Sequence, residues 1–173
     1  MKFVRLSSAA GGLYEDAISL YRDSFPLHEQ REAEAQAGIM EKEAYQFNLI
    51  YEEKEPVGLL LCWETDSFIY VEHFCISPGM RNRRYGRRAL DLLCRRSKTV
   101  ILEIDPPVDE ISTRRKGFYE RAGFHPNRFV HIHPPYRKEY SGHSLEVMSY
   151  PAVLTDSMYQ EFYDFLKKIV MET

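Results

Sequence analysis

Cysteine is scarce in this chain. Its three residues, Cys62, Cys75 and Cys94, are odd in number, far apart and set among apolar neighbours. A disulfide framework or a zinc site needs pairs or clusters, so neither is expected, and no metal ligation is predicted. The three read as buried thiols in a reducing cytoplasm. Long apolar runs are also missing. None approaches the roughly 18 residues that span a bilayer, and residues 1–12 hold no apolar core of the kind a secretory signal carries. Neither a membrane partner nor export is expected. There is no repeat, no low-complexity stretch and no Gly/Ser linker, so nothing marks a domain boundary. The 173 residues therefore read as one domain over 1–173.

Charge of one sign is concentrated in one place. The chain carries a net charge of −3, yet residues 81–98 hold seven Arg and one Lys against the single acid Asp91, a local balance of +7. The remainder must carry −10. A basic cluster in an acidic chain points to one anionic ligand held at one spot. A nucleic-acid binder would show basic charge more widely, whereas residues 14–55 hold four basic and eleven acidic side chains.

The periodicity predicts a short strand near residues 3–6, then a helix over 13–25 that Pro26 ends, then a second helix over 30–40. Alternation replaces helical spacing at 46–52, 57–64 and 68–76 read as two further strands, and the polar turns between these three runs indicate antiparallel pairing. A helix over 86–96 shows Ala89, Leu90, Leu93 and Cys94 as its apolar stripe. A strand over 100–105 follows, then a helix capped by Asp109 and stopped by Gly123. Strands over 124–132 and 144–150 and an amphipathic helix over 155–171 complete the order βααβββαβαββα, a mixed α/β fold. Thr155 is the expected N-cap of that last helix. Met158, Phe162, Phe165, Leu166 and Ile169 form its expected apolar face.

The informative segment is 68–97. A strand runs into Ser77-Pro78-Gly79, then a basic loop, then a helix. Such a junction points backbone N–H groups and a helix N-terminus at one spot, which suits phosphate. Arg81, Arg83, Arg84 and Arg87 add charged donors, and Gly86 permits close backbone approach. The plainer alternative is a solvated basic helix.

The stretch VEHFCISPGMRNRRYGRRALDLLCR resembles the acetyl-CoA signature of the GNAT superfamily of N-acetyltransferases. That signature is a strand, a short loop, Arg/Gln-x-x-Gly-x-Gly/Ala and a helix. It reads here as Arg81-Asn82-Arg83-Arg84-Tyr85-Gly86. Gly86 matches the second glycine position, while Arg84 stands at the first. Gly117-Phe118-Tyr119-Glu120-Arg121-Ala122-Gly123-Phe124 is similar to the family's Tyr-Glu-Lys-x-Gly-Phe segment, with Ser112 where an Asn is frequent seven residues before that Tyr. The LEIDPP, RRKGFYERAGF and HPPY runs look like a bacterial subgroup of the superfamily.

The resemblance implies a GNAT-like fold over about residues 1–150, with 155–171 as an added C-terminal helix. It implies acetyl-CoA as co-substrate, held by Phe74, Cys75, Ile76, Arg81, Arg83, Arg84, Tyr85, Gly86 and Arg87. Backbone groups of 74–76 would face the pantetheine arm where two strands part. An amine acceptor, small molecule or peptide, would be acetylated by direct attack, with Tyr119 as general acid and Glu72 as base. Packing is the plain alternative for Tyr119, and an ion pair with Arg114 or Arg115 for Glu72. Strand alternation would put residues 70, 72, 74 and 76 on one face and His73 on the other. Glu103 and Asp105, with Tyr70, are candidates for an acceptor pocket. His28, Glu29 and Arg31 fall in a loop where acceptors are often recognised. An acyl-CoA-binding module without transferase activity stays open as an alternative. The oligomeric state is open, a homodimer included.

Overall fold

The computed structural model describes residues 1–172. Strand β1 (Lys2–Leu6) leads into α1 (Gly12–Ser24), a 3-10 turn (Leu27–Glu29) and α2 (Ala33–Ile39). Three long strands follow: β2 (Tyr45–Glu52), β3 (Glu55–Glu64) and β4 (Phe68–Ile76). Next come α3 (Tyr85–Cys94), β5 (Thr99–Ile104), α4 (Glu110–Arg121) and the short β6 (His125–Pro126). A small hairpin of β7 (Ile132–His133) and β8 (His143–Ser144) precedes β9 (Glu146–Tyr150). The chain closes with α5 (Asp156–Phe165), which continues into a π-helical turn (Leu166–Val170). The main sheet has seven strands in the order β1-β2-β3-β4-β5-β9-β6. Only β4 and β5 run parallel. This is the mixed α/β architecture the sequence predicts. Among the described residues no helix is long and apolar enough to cross a membrane.

Local chemistry explains most boundaries. Glu53 and Lys54 make a two-residue hairpin loop between the paired Glu52 and Glu55, with Glu53 at φ 54°. Thr65 Oγ1 accepts from the N–H groups of Ser67 and Phe68 and closes the next turn. Asp109 caps α4 through the Ser112 N–H at 2.7 Å, and the Ser112 hydroxyl accepts from the Asp109 N–H in return. Ser112 is thereby a buried capping residue. Thr155 Oγ1 accepts from Met158 N–H at the start of α5.

Both faces of the sheet are covered. Helices α1, α2 and α5, with the π-helical turn after α5, bury Tyr21, Ile39, Phe162 and Leu166 against Phe47, Trp63 and Tyr70. On the other face α3 and α4 bury Leu90, Leu93 and Tyr119 against Leu60, Ile69 and Leu102. Each such large side chain stabilises the fold by roughly 1.5–3 kcal/mol relative to exposure. The last helix is thus embedded in one of the two cores.

Three sequence expectations need correction. The second helix begins at Ala33, not residue 30, because Gln30 and Arg31 are used elsewhere: Gln30 Nε2 donates to the Arg22 and Phe25 carbonyls, and Arg31 turns inward. The strand expected over 124–132 stops at Pro126, where Asn127 takes over the pairing positions. Asn127 Nδ2 donates to Val147 O and Ser149 Oγ while its Oδ1 accepts from Leu154 N–H, which steers the chain away from β9. Lastly, the π-helical turn shifts the final apolar face by one residue. Val170 is buried and Ile169 is 42% exposed.

Candidate active site

Strands β4 and β5 pair in parallel only from Phe68↔Thr99 to Val71↔Leu102. The next residue of β4 is an extra one. Leu61 of β3 faces His73 and Cys62 faces Val71, so Glu72 has no partner position of its own. This is a β-bulge, and it bends the strand and resets its alternation. Ile69 and Val71 point into the core under α3 and α4, and beyond the bulge Phe74 and Ile76 do so too. Tyr70 and Cys75 belong to the opposite core. The expectation that 70, 72, 74 and 76 share one face is therefore overturned. Glu72 and His73, separated by the resetting of the bulge, line the same cavity.

Past the bulge the two strands diverge around a cleft of about 470 Å³. Phe74, Cys75 and Ile76 form one wall, and Leu102, Ile104 and Tyr119 the other. Toward the surface the cleft joins a groove of about 580 Å³ between the loop that precedes α3 and the face of α4 bearing Ile111 and Phe118. Eight of the nine residues expected to hold the cofactor line this groove; Arg83 is the exception. A Cβ on Gly86 would stand 3.3 Å from Phe118 Cζ and 3.6 Å from Ile76 Cγ1, so glycine keeps this end of the groove open. Arg84, at the position where the motif has its first glycine, adopts φ 62° and ψ 11°, the left-handed conformation. The loop thus keeps a glycine-like path, at a strain of roughly 1–2 kcal/mol.

The basic cluster is partly committed to the fold. Arg81 Nε donates to Ile76 O at 3.1 Å and ties the loop to the strand end. Arg87 is held by Asp91 and the Arg121 carbonyl, Arg88 by Glu52 and Arg96 by Glu64. The side chains of Arg83, Arg84 and Arg95 are without hydrogen bonds or ion pairs among the described residues and are free to meet an anion.

A bulged strand, a parting of two parallel neighbours, and a basic helix start at the mouth form one continuous construction. Residues 12–124 match the profile of the acetyltransferase (GNAT) family. The chain belongs to the GNAT acetyltransferase family. A GNAT-family acetyltransferase structure from Bacteroides thetaiotaomicron superposes with a TM-score of 0.93 at 29% identity, covering 100% of this chain and 99% of that one. An aminoglycoside 6'-N-acetyltransferase solved with coenzyme A shares the fold at a TM-score of 0.61 and 15% identity, over 86% of this chain and 96% of its own. YjbC of Bacillus subtilis (strain 168), which bears an acetyltransferase name, is 26% identical over 103 residues, or 58% of this chain. The chain spans about half the length of that curated relative, 52%.

At its inner end the cleft meets a small cavity of about 70 Å³ that is rich in ionisable groups. Glu72 lies at its floor with 1% exposure and three donors: Arg31 Nη2 at 2.6 Å, Trp63 Nε1 at 2.9 Å and Tyr136 OH at 3.0 Å. Its ion-pair partner is Arg31, not Arg114 or Arg115. Arg31 also donates to Val170 O at 2.8 Å and lies 4.9 Å from the Tyr136 ring. Glu103 accepts from Tyr70 OH at 2.5 Å and meets His131 Nε2, while His131 Nδ1 is 3.0 Å from Tyr159 OH of α5. Burial pushes the Glu103 carboxyl up, but His133, His131 and Tyr70 together outweigh it and hold it below its ordinary value. Asp105 pairs with Arg115 at 2.5 Å, whereas Arg114 pairs with Glu110 along its own helix.

His73 Nε2 lies 2.8 Å from the Glu29 carbonyl, so that nitrogen carries the hydrogen. Burial lowers its pKa to about 4 and leaves it neutral. Burial raises the Tyr119 phenol to about 12, against a downward pull from Arg115. The cysteines are all unpaired, and burial raises each, Cys62 to about 12 and Cys94 to about 11. Sequence reasoning did not single out Trp63, Tyr159 or the carbonyl of Val170. The HPPY run did carry a visible signal for Tyr136 and His133.

Proposed function

We propose that the chain transfers an acetyl group from acetyl-CoA to a primary amine by direct attack in a ternary complex. The observation that carries this reading is the cleft itself: it is open to the basic helix start at one end and to an acid-rich cavity at the other. The first N–H groups of α3 have no intrahelical acceptor, and with Arg83, Arg84 and Arg87 they suit the CoA pyrophosphate. Beyond the bulge the β5 side of β4 is released from strand pairing, so backbone groups of 74–76 can hydrogen-bond the pantetheine arm and the thioester oxygen. The acceptor nitrogen attacks the carbonyl carbon, the C–S bond breaks, and its electron pair leaves on sulfur.

Tyr119 lies on the cleft wall, where the thiol is expected. A thiol of ordinary acidity titrates near ~8.5, so full proton transfer from a phenol near 12 would run roughly 5 kcal/mol uphill. Tyr119 therefore acts chiefly as a hydrogen-bond donor to the departing thiolate. Cys75 is the one thiol in the cleft, and burial keeps it protonated, which disfavours an acetyl-cysteine intermediate. With both carboxylate oxygens engaged, Glu72 is better suited to holding Arg31 and the pocket floor than to removing a proton. The unpaired thiols fit a reducing cytoplasm.

The reading is tested by calorimetry with CoA and by thiol release from acetyl-CoA over a panel of amines. Binding that weakens with added salt, together with amine-dependent thiol release, is expected. No binding would overturn the reading, and binding without release on any amine would favour a CoA-binding module.

A further inference from the structure

The cleft and the inner cavity share a stretch of wall on which four acids stand: Glu29, Glu72, Glu103 and Asp105. Three of them carry side-chain hydrogen bonds. Glu72 has three donors, Glu103 has Tyr70 and His131, and Asp105 has Arg115. Glu29 makes no side-chain hydrogen bond among the described residues. Its one ion-pair neighbour is the adjacent His28 at 3.7 Å, and its side chain keeps 29% exposure. It is the one acid of the four with neither carboxylate oxygen hydrogen-bonded; Asp105, though 47% exposed with Oδ1 open, has its charge matched by Arg115 at 2.5 Å.

Its backbone is held firmly, which a group acting from a loop requires. His73 donates to the Glu29 carbonyl at 2.8 Å, and Arg137 Nε donates to the next carbonyl, Gln30, at 3.0 Å. Gln30 reaches back to the end of α1, and Arg31 is locked to Glu72. The polypeptide on either side is fixed while the Glu29 carboxylate is left loose between donor cleft and acceptor cavity.

We propose that Glu29 is the group that takes the proton from the acceptor, and that the acceptor is a small primary amine which enters as its ammonium cation. The assignment rests on the transfer reading above. Glu29 removes one ammonium proton and passes it to solvent. The nitrogen lone pair forms the C–N bond, the C–S bond breaks, and the second proton lost from nitrogen ends on the CoA sulfur. Two features of the surroundings favour this use. Burial, and then Asp105, raise the Glu29 carboxyl above its ordinary value, against His28, Arg115 and His133. A stronger base is a better match to an ammonium. The other charge facing the cavity from β4 is Glu72, already paired with Arg31. His143 of β8 also lines the cavity, and burial lowers its pKa. The rival is His133. Its Nδ1 lies 2.5 Å from the Pro134 carbonyl, and its Nε2 is buried beneath the cavity surface, 3.8 Å from Glu103 Oε2.

The test is the pH dependence of kcat/KM for thiol release with tyramine, putrescine and lysine methyl ester, measured on wild type, Glu29→Gln, Glu29→Asp and His133→Gln. Glu29→Gln is expected to lose about 10²–10⁴-fold near neutral pH, with the loss shrinking as pH rises and the amine deprotonates unaided. Glu29→Asp should recover part of it. CoA affinity and the urea midpoint should match wild type, since the Glu29 side chain makes no hydrogen bond among the described residues. A Glu29→Gln loss below about tenfold, or one that is flat across pH, overturns the assignment while leaving the transfer reading intact. So does an acid limb that vanishes in His133→Gln and persists in Glu29→Gln. Wild-type protein that binds acetyl-CoA yet acetylates none of the three amines overturns the assignment of a small-amine acceptor. Failure to bind CoA at all strikes the transfer reading itself.

Discussion

Replacing Arg31 by Met removes the cation from a pair whose side chains are only 3% and 1% exposed. Glu72 then keeps Trp63 and Tyr136 as donors but has no opposing charge in a buried site. Breaking such a pair from one side costs about 3–5 kcal/mol. The carbonyl of Val170 also loses the Arg31 donor, worth about 1 kcal/mol. The expected penalty for Arg31→Met is therefore about 5 kcal/mol. Glu72→Gln alone leaves a buried guanidinium facing a neutral amide and should cost about 3 kcal/mol. In the double variant neither charge remains, so the cost should fall well below the total of the two, with a coupling of at least ~2 kcal/mol. Urea denaturation of the four proteins, with m-values compared, measures this cycle directly. A single-variant cost under about 1 kcal/mol, or no coupling, would show that the pair is not buried in solution. A Glu72→Gln protein that folds normally but loses kcat/KM most at neutral pH would return the base role to Glu72.

Other substitutions probe the remaining parts of the site. Tyr119→Phe should lower kcat about 10–10²-fold, the worth of one hydrogen bond to a charged group, with CoA affinity in calorimetry nearly intact; a loss above about 10³ would show that full proton transfer matters. In Gly58→Ala the new Cβ would lie 2.2 Å from the Cys75 carbonyl oxygen, so β3 or β4 must shift; unfolding free energy should drop by about 1–3 kcal/mol, and CoA binding should weaken because the shifted residues are the pantetheine wall. His73 has a pKa of about 4 in the fold against an ordinary 6.5, so the unfolded chain binds more protons between these values. Its contribution is complete above pH 6.5 and is lost as pH falls toward 4, roughly 3 kcal/mol in all. His73→Phe, which suits the aromatic contacts with Tyr21 and Phe25, should flatten that part of the pH–stability curve; an unchanged slope would show that His73 is not the titrating group.

What could be read from the sequence followed from local rules. The 68–76 run is a strand from Phe68 to Ile76 as predicted, Asp109 caps α4, Gly123 ends it at φ 91°, and Thr155 caps α5. Each depends on a residue and its near neighbours in sequence. What could not be read depends on residues far apart. The late start of α2 follows from Arg31 reaching Glu72, 41 residues on, and Val170, 139 residues on. The loss of the strand after Pro126 follows from Asn127 bonding across to Val147, Ser149 and Leu154. No periodicity within 30–40 or 124–132 reports either contact. The π-helical turn at the end of α5 is also silent in sequence, because Leu166–Val170 reads equally well as one more α-helical turn.

The bulge at Glu72 shows how one unreadable feature changes a functional inference. FIYVEHFCI holds no Gly or Pro, so strict two-residue strand periodicity is the natural reading, and it puts Glu72 beside Phe74 and Ile76 on one reactive face. The extra residue breaks that chain of reasoning at its middle. It ends the parallel ladder at Val71, opens the cleft beyond, and turns Glu72 toward Arg31, Trp63 and Tyr136. The carboxylate in the apolar strand is costly unless paired, and the pairing that lowers the cost also occupies its lone pairs. A buried acid with three donors is suited to holding a wall in place. The acid suited to moving a proton is one left partly unpaired at the junction, and Glu29, in a 3-10 turn with no apolar strand around it to mark it as unusual, meets that description. Distinguishing the two acids required knowing which hydrogen bonds were already made.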